Sequence, residues 1–217
     1  MEYILLAIFA IVLNILAVRN ILIVRRENKR IAFDNYIYDR TMDLKQEILG
    51  LEKKPSIAII QIGSDENDTL WITMYKKKCD DLGIDTHWYT YDETKDYNFA
   101  QEIADIGENY DGVVIKLCEN PPVAHAAAYG AIPNGKNIMK MARATGITQY
   151  LEHKGENVKD ITITAQDKVS CGPTNNDMRV HVDGKLKIGG KHNLTYAMVE
   201  ELGFIESINN VINAVGI

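Results

Sequence analysis

The sequence predicts an α/β fold: a three-layer arrangement of a parallel sheet with flanking helices, preceded by an N-terminal apolar helix. Three observations predict this fold. An apolar strand, residues 55–63, is followed by a helical segment and then, after Gly83, by a second strand at residues 84–91. The segment GVVIKL, residues 112–117, is short and nearly continuously apolar, as in a strand buried within a parallel sheet. The first thirty residues are far more apolar than the rest of the chain.

The other elements follow from hydrophobic periodicity and from residues that end helices. Beyond the helix between the first two strands, helices are predicted at residues 31–51, 98–110, 123–131, 193–202 and 206–215. Gly203 is expected to cap the helix that ends at residue 202. Residues 160–164, with the sequence DITIT, alternate in polarity and predict either an edge strand or a loop.

Composition excludes several classes of partner. A net charge of −6 leaves no basic face to neutralise phosphates, so nucleic acid is not expected as a partner. The three cysteines are widely spaced and form no C-x-x-C pair, which argues against a disulfide framework and favours a reducing compartment. The five histidines show no i, i+4 pairing, so we expect no metal site.

The N-terminal segment, residues 1–30, has the composition of a membrane anchor. From Tyr3 to Val18, fifteen of sixteen residues are apolar or aromatic. A helix over residues 3–24 would be ~33 Å long, against ~30 Å for the hydrocarbon core of a bilayer. The basic flank RRENKR, residues 25–30, predicts a single-pass membrane protein whose N-terminus lies outside and whose globular domain lies in the cytoplasm. Alternatively, the helix is buried in a protein assembly or lies at an interface.

The helix between the first two strands carries the candidate site. Asp68, Trp71, Tyr75 and Cys79 recur at spacings of three and four residues, which places them on one face. The segment GSDENDTLWITMYKKKCDDLGI, residues 63–84, resembles without a gap a pattern of the methylenetetrahydrofolate dehydrogenase/cyclohydrolase family, G-x-D-x-x-S-x-x-Y-x-x-x-K-x-K-x-C-x-x-x-G-I. Asp68 stands where that pattern has serine, Trp71 where it has tyrosine, and Tyr75 where it has the catalytic lysine.

Five weaker matches extend the resemblance over roughly residues 32–203. They lie at residues 33–60, 110–117, 131–140, 170–174 and 189–198. In the second of them, Lys116 stands at the position of the family's glutamine. Between the last two, the family carries a dinucleotide-binding domain, whereas this chain has fewer than twenty residues. Residues 175–188 predict a hairpin that turns at Asp183-Gly184, and no G-x-G-x-x-G follows any strand. We therefore expect no nicotinamide or other cofactor.

The resemblance implies roles that the substituted residues fill only in part. In the family, the lysine assists opening of the methenyl bridge and the tyrosine stacks on the pterin–aminobenzoyl group. Tyr75 cannot supply a cation, whereas Trp71 keeps an aromatic stacking surface. Lys116 either places an ammonium in the vacated volume or only pairs with a carboxylate, Asp68 or Glu119. The candidate catalytic residues are Lys116 and Tyr75, and both join Trp71 and Asp68 as candidate binding residues.

These observations predict two domains, residues 1–30 and residues 31–217. The favoured function is that of a membrane-tethered, catalytically degenerate relative of the family, which acts as a binding or structural module and has a folate or pterin as its possible ligand. The first alternative is a minimal folate-directed hydrolase with residual cyclohydrolase activity that uses Lys116 and Tyr75. The second is a structural subunit of a larger assembly or a homo-oligomer.

Overall fold

A computed structural model of the protein describes residues 2–63, 66–92, 98–117, 131–133, 135–139, 141–165, 178–186 and 194–215. The chain divides into two compact units, Met1–Asp39 and Arg40–Ile217. Because the candidate site residues all lie in the second unit, its parallel sheet and helices decide the geometry of the site.

The first helix, α1 (Glu2–Gly50), is a single element where the sequence predicted an apolar helix and a separate amphipathic one. The prediction of two separate helices is wrong because the boundary rested on composition alone. All of residues 25–30 except Asn28 are good helix formers, and the segment has no Gly or Pro before Gly50. In the part of the chain that the structure describes, no helix is long and apolar enough to cross a membrane. The side chains of residues 2–10 lie outside that part.

A parallel sheet with flanking helices forms the second unit's centre and confirms the α/β class. Its described strands are β1 (Ser56–Ile62), β2 (Asp85–Tyr91) and β3 (Gly112–Leu117), in the order β2-β1-β3. Helix α2 (Glu66–Leu82) connects β1 to β2, and helix α3 (Phe99–Asn109) connects β2 to β3. All three strands lie within two residues of their predicted bounds.

The two connecting helices lie on opposite faces of this sheet. On one face, a buried cluster joins the strands to α3 and to the segment after β3; it comprises Ala58, Ile60, Ile62, Ile103, Val113, Ile115 and Ile132. On the other face, the Gln61 amide donates to Thr69 of α2 at 3.1 Å. This arrangement follows from strand order, since right-handed connections that run in opposite directions must use opposite faces.

Two further helices pack together through glycines. Helix α4 (Ala142–His153) lies against helix α5 (Tyr196–Val215), which is continuous through Gly203. The expected helix end at Gly203 is therefore wrong. A Cβ at Gly203 would lie 2.7 Å from Cγ of Arg143, and one at Gly146 would lie 2.4 Å from the carbonyl oxygen of Leu202. Glycine at these positions allows close helix packing rather than a cap.

A small antiparallel sheet completes the described part of the second unit. It contains β4 (Ile161–Ala165), β5 (Met178–Val182) and β6 (Lys185–Leu186), in that order. The DITIT segment forms strand β4, and β5 and β6 form the hairpin that the sequence predicts. Asp183 and Gly184 both have positive φ, 50° and 72°, as a two-residue hairpin turn requires. The predicted helix at 123–131 lies almost wholly outside the described residues, and the match at 170–174 lies entirely outside them.

Candidate functional site

The candidate site lies at the carboxyl ends of β1 and β3. In an open parallel sheet with the order β2-β1-β3, ligands bind beside the strand pair at which the connections change direction. Gln61 on β1 and Lys116 on β3 are register partners at this end of the sheet. Both point to the face on which α2 lies, because Gln61 contacts Thr69 and Lys116 contacts Asp68 of that helix.

Three of the predicted site residues converge here. The Lys116 ammonium lies 3.0 Å from Oδ1 of Asp68, in the first turn of α2, and 5.2 Å from the centre of the Trp71 ring. The side chains of Lys116 and Asp68 are 28% and 15% exposed, so solvent reaches the pair only in part. We call these three residues the Trp71 site. They combine an aromatic surface with a paired cation and carboxylate.

The fourth predicted residue, Tyr75, lies behind Trp71 rather than at the open side. The two rings stack with their centres 5.0 Å apart and their planes at 25°. Asp68 precedes Trp71 by about one helical turn and Tyr75 follows it by about one turn, so the two lie on opposite sides of the indole along α2. Because Lys116 pairs with Asp68, the indole has Lys116 towards one side and Tyr75 towards the other.

The Tyr75 hydroxyl is part of the core between α2 and α5. It lies 2.8 Å from the Ser207 hydroxyl, which donates its own proton to the Phe204 carbonyl at 2.7 Å. Tyr75 must therefore donate in this pair. Burial raises the pKa of Tyr75 well above its ordinary value, nearby Cys79 raises it further, and the bond to Ser207 offsets only part of the rise. The phenol stays neutral and cannot act as a base at physiological pH.

A network that sequence reasoning missed holds the edge of the Trp71 indole. The indole Nε1 donates to Oε2 of Glu200 on α5 at 3.0 Å. Arg143 of α4 donates to both oxygens of the same carboxylate, from Nε at 2.7 Å and from Nη2 at 3.1 Å. The available signal was the glutamate pair Glu200 and Glu201 near the start of α5. It gives no indication of which partner each residue takes.

Other chemistry near the site is limited. Cys79 is buried, and burial raises the pKa of its thiol above the ordinary range, so it is not an activated nucleophile. Cys118 and Cys171 lie outside the described residues. Among the residues whose positions are described, no group of three or more His, Cys, Asp or Glu side chains could hold a metal ion.

Comparison with known proteins confirms the resemblance noted in the sequence. No protein-family model matches the chain. The bifunctional protein FolD of Mycoplasmopsis synoviae is 26% identical over 120 residues, which cover 52% of this chain and 42% of that protein. The bifunctional protein FolD of Caldanaerobacter subterraneus is 27% identical over 77 residues, 35% of this chain and 28% of that protein. The chain thus spans less than half the length of these relatives.

Solved structures show the same fold. The bifunctional FolD methylenetetrahydrofolate dehydrogenase/cyclohydrolase of Campylobacter jejuni superposes with a TM-score of 0.58 and 11% identity, over 85% of this chain and 97% of that chain. The methylenetetrahydrofolate dehydrogenase-cyclohydrolase of Trypanosoma brucei, solved with NADP and an inhibitor, gives a TM-score of 0.51 and 14% identity, over 58% and 52% of the two chains. At these identities the likeness concerns the fold.

Proposed function

We propose that this chain is a catalytically degenerate relative of the methylenetetrahydrofolate dehydrogenase/cyclohydrolase family, which binds a folate or pterin at the Trp71 site without turning it over. The observation that carries the proposal is the position of the Lys116 ammonium, 3.0 Å from Asp68 and 5.2 Å from the centre of the Trp71 ring. An aromatic ring with a cation over it lies at the carboxyl ends of the strands, the end at which open parallel sheets bind their ligands.

Each part of this arrangement suits one part of a folate. Tyr75 covers one side of the indole and the Lys116 ammonium lies over the ring, so a planar pterin or aminobenzoyl ring stacks on the indole once Lys116 moves aside. The ammonium of Lys116 can bind a carboxylate of the glutamate tail. Asp68 competes for that ammonium, so ligand binding must share or open the ion pair. A ligand with a carboxylate is therefore favoured over a neutral pterin.

The same geometry argues against catalysis. Tyr75, which replaces the lysine of the family's pattern, is a buried neutral phenol that donates to Ser207. The cation over the indole, Lys116, is already engaged by a carboxylate. The residues present also do not fit a nicotinamide dinucleotide, because the sequence has no glycine-rich phosphate loop after a strand. We derive no hydride-transfer step for this chain.

Residual folate-directed hydrolysis is the alternative, since Lys116 and Asp68 together offer a cation and a carboxylate beside the stacking surface. A single titration series separates the two functions. The chain contains two tryptophans, so the Trp88→Phe variant isolates the emission of Trp71. We expect folic acid to quench that emission saturably and to release heat in calorimetry. We expect the absorbance of methenyltetrahydrofolate to fall no faster with the protein than in buffer alone. Saturable binding with turnover above that rate would favour the hydrolase, and no binding of any folate would refute both functions.

We also propose that residues 3–24 tether the protein to a membrane, with the N-terminus outside and the globular domain in the cytoplasm. Large apolar side chains are exposed on this helix from residue 11 onward, namely Ile11, Val12, Leu13, Ile15, Leu16, Val18, Ile21, Leu22, Ile23 and Val24. An exposed apolar surface of this extent needs a cover. Lipid is favoured over a second protein because the basic segment at residues 25–30 follows directly.

A further inference from the structure

We infer that Glu200 and Arg143 are a positioning pair, which fixes the indole plane of Trp71 before a ligand arrives. The inference rests on the proposed function, because it takes Trp71 as the surface on which the ligand stacks. Neither residue contacts that surface, since both act at the Nε1 edge of the ring. They would determine affinity through orientation alone.

The Glu200 carboxylate bridges three helices. It accepts the Trp71 indole proton from α2 and two guanidinium bonds of Arg143 from α4, while its own backbone belongs to α5. The Arg143 contacts use Nε and Nη2 against both carboxylate oxygens, a forked geometry that fixes the plane of the carboxylate as well as its position. The Glu200 side chain is only 15% exposed, so solvent screens this pair less than an exposed surface pair.

Gly203 makes the fork possible. It follows Glu200 by three residues and therefore lies on the same side of α5. The stem of Arg143 crosses this glycine so closely that a Cβ there would lie 2.7 Å from the Arg143 Cγ. The missing side chain lets Arg143 lie along α5 and reach Glu200. The glycine inside α5, which costs helix stability, thus serves the orientation of the arginine.

The network leaves the indole little freedom to turn. Rotation of the ring about its side-chain bonds would break the bond from Nε1 to Glu200, and the stacked Tyr75 ring blocks movement away from Lys116. A ring held in its binding orientation loses less entropy when a ligand stacks on it, which improves affinity. Loss of Glu200 should therefore weaken folate binding although the carboxylate itself would not touch the folate.

The direct test observes the Trp71 indole proton in ¹⁵N-labelled full-length protein, with Trp88→Phe used for assignment. In Glu200→Ala, we expect the indole resonance to shift upfield and to exchange faster, and the folate affinity to fall roughly five- to tenfold. Glu201→Ala is the matched control, because the carboxylate of Glu201 is adjacent in sequence but pairs with Lys78. It should leave both the resonance and the affinity unchanged.

Milder variants guard against loss of the fold. Glu200→Gln keeps an acceptor for the indole and should retain most of the affinity, whereas Arg143→Lys keeps the charge without the fork and should lose part of it. Gly203→Ala should shift the indole resonance. Gly50→Ala should not, because a Cβ at Gly50 would meet no other heavy atom within 4 Å.

The outcomes separate the two proposals. An indole resonance that does not move in Glu200→Ala would overturn the positioning pair, as would a shifted resonance with unchanged folate affinity. If the wild-type protein binds no folate, the proposed function fails. The indole resonance would then still decide whether Glu200 and Arg143 hold Trp71 in place, with a shift supporting that role and an unchanged signal refuting it.

Discussion

The hydroxyl of Tyr75 donates a hydrogen bond to the hydroxyl of Ser207, across 2.8 Å and 132 residues of sequence. The position that the family's pattern gives to a catalytic lysine is thus part of the packing between α2 and α5. The Phe204 ring packs nearly perpendicular to the Tyr75 ring, with centres 5.1 Å apart and planes at 82°. An ammonium at this position would have no water and would meet two aromatic rings and a hydroxyl.

Two substitutions at Tyr75 test this relationship. Tyr75→Phe should lower the free energy of unfolding by only about 0.5–1.5 kcal/mol, because Ser207 keeps its bond to the Phe204 carbonyl. Tyr75→Lys should lower it by roughly 3–5 kcal/mol, since it buries an unpaired charge, and should not create cyclohydrolase activity. Urea unfolding measures both. Tyr38→Lys, at an exposed tyrosine, is the control for the residue change. A stable and active Tyr75→Lys protein would contradict the placement of position 75 in the core, away from the ligand.

Local sequence patterns predicted the strands of the parallel sheet well. They predicted poorly which side chains contact elements that are distant in sequence. Apolar runs next to a glycine located β1 and β3, since a strand buried on both faces depends little on particular partners. The run of Thr, Trp and Tyr after Gly83 located β2. The spacing of Asp68, Trp71 and Tyr75 also placed them on one face of α2. Which of them would face a cleft was not predictable, because the ring of Tyr75 is held by α5, more than a hundred residues later.

The errors concern the ends of helices. One end was predicted from a glycine that a tertiary contact requires, and the other from composition alone. Gly203 resembled a helix end, yet α5 continues through it because the close approach of Arg143 requires a residue without a side chain. The sequence predicted an apolar helix within residues 1–30 and a separate helix at residues 31–51, yet charged helix formers continue α1 across this boundary. Sequence alone also could not pair Trp71 with Glu200, since nothing local links the two.

A buried carboxylate should make stability depend on pH. Burial raises the pKa of Glu206 above its ordinary value, although hydrogen bonds from Gln149 and Asn209 and the charge of Arg40 oppose the rise. Its contribution to stability is therefore complete below the ordinary pKa of about 4 and is lost as pH rises through the folded-state pKa. Glu206→Gln, which stays neutral, should gain in unfolding free energy relative to the wild type between pH 4 and pH 7. A difference that is constant over this range would contradict the raised pKa.

Asp111 should make stability depend on pH in the opposite direction from Glu206. Its burial would raise the pKa, but hydrogen bonds from Lys53 and Ser56 outweigh this, and the net pKa is lowered. Its contribution to stability is present above the ordinary pKa of about 4 and is lost as pH falls through the folded-state pKa. Asp111→Asn should therefore cost about 1–3 kcal/mol at pH 7 and progressively less in acid. Urea unfolding at several pH values measures this trend, and a cost that persists unchanged in acid would contradict it.

The membrane tether predicts how the full-length chain fractionates. It should remain in the membrane pellet after an alkaline carbonate wash. Replacing both Ile15 and Leu16 by Arg should release it, since each charge near the centre of a spanning helix costs ~2.5–3.5 kcal/mol. Ile31→Arg places the same charge beyond the proposed span and is the matched control. Recovery of the wild-type chain as a soluble monomer without detergent would refute the tether, and recovery as a soluble oligomer would favour the protein-assembly alternative.

The lack of a phosphate-binding loop predicts that nicotinamide cofactors do not bind. Between the two last family matches, the described residues form only the β5–β6 hairpin, and the sequence offers no glycine fingerprint elsewhere. NADP titrated into the protein should give no saturable heat, whereas folic acid in the same cell should. A dissociation constant in the micromolar range for NADP would contradict this prediction.

The role of Lys116 can be separated from a general effect of losing a lysine, because the chain offers a close structural match. Lys78, on the same helix as Trp71, pairs with Glu201 and lies 5.0 Å from the centre of the Phe204 ring. Lys116 pairs with Asp68 and lies 5.2 Å from the centre of the Trp71 ring. The two lysines thus make the same kinds of contact at different places, and only Lys116 lies at the Trp71 site.

Lys116→Ala should weaken folic acid binding about ten- to a hundredfold, the loss of one charge-assisted hydrogen bond worth roughly 1.5–3 kcal/mol. Lys78→Ala should change affinity little. The loss should be smaller for a pterin without a glutamate tail, because that ligand has no carboxylate for Lys116 to bind. Calorimetry with folic acid and with pterin measures both differences. Equal losses for the two ligands would place Lys116 at the ring rather than at the tail, and equal effects of the two lysine variants would remove Lys116 from the proposed site.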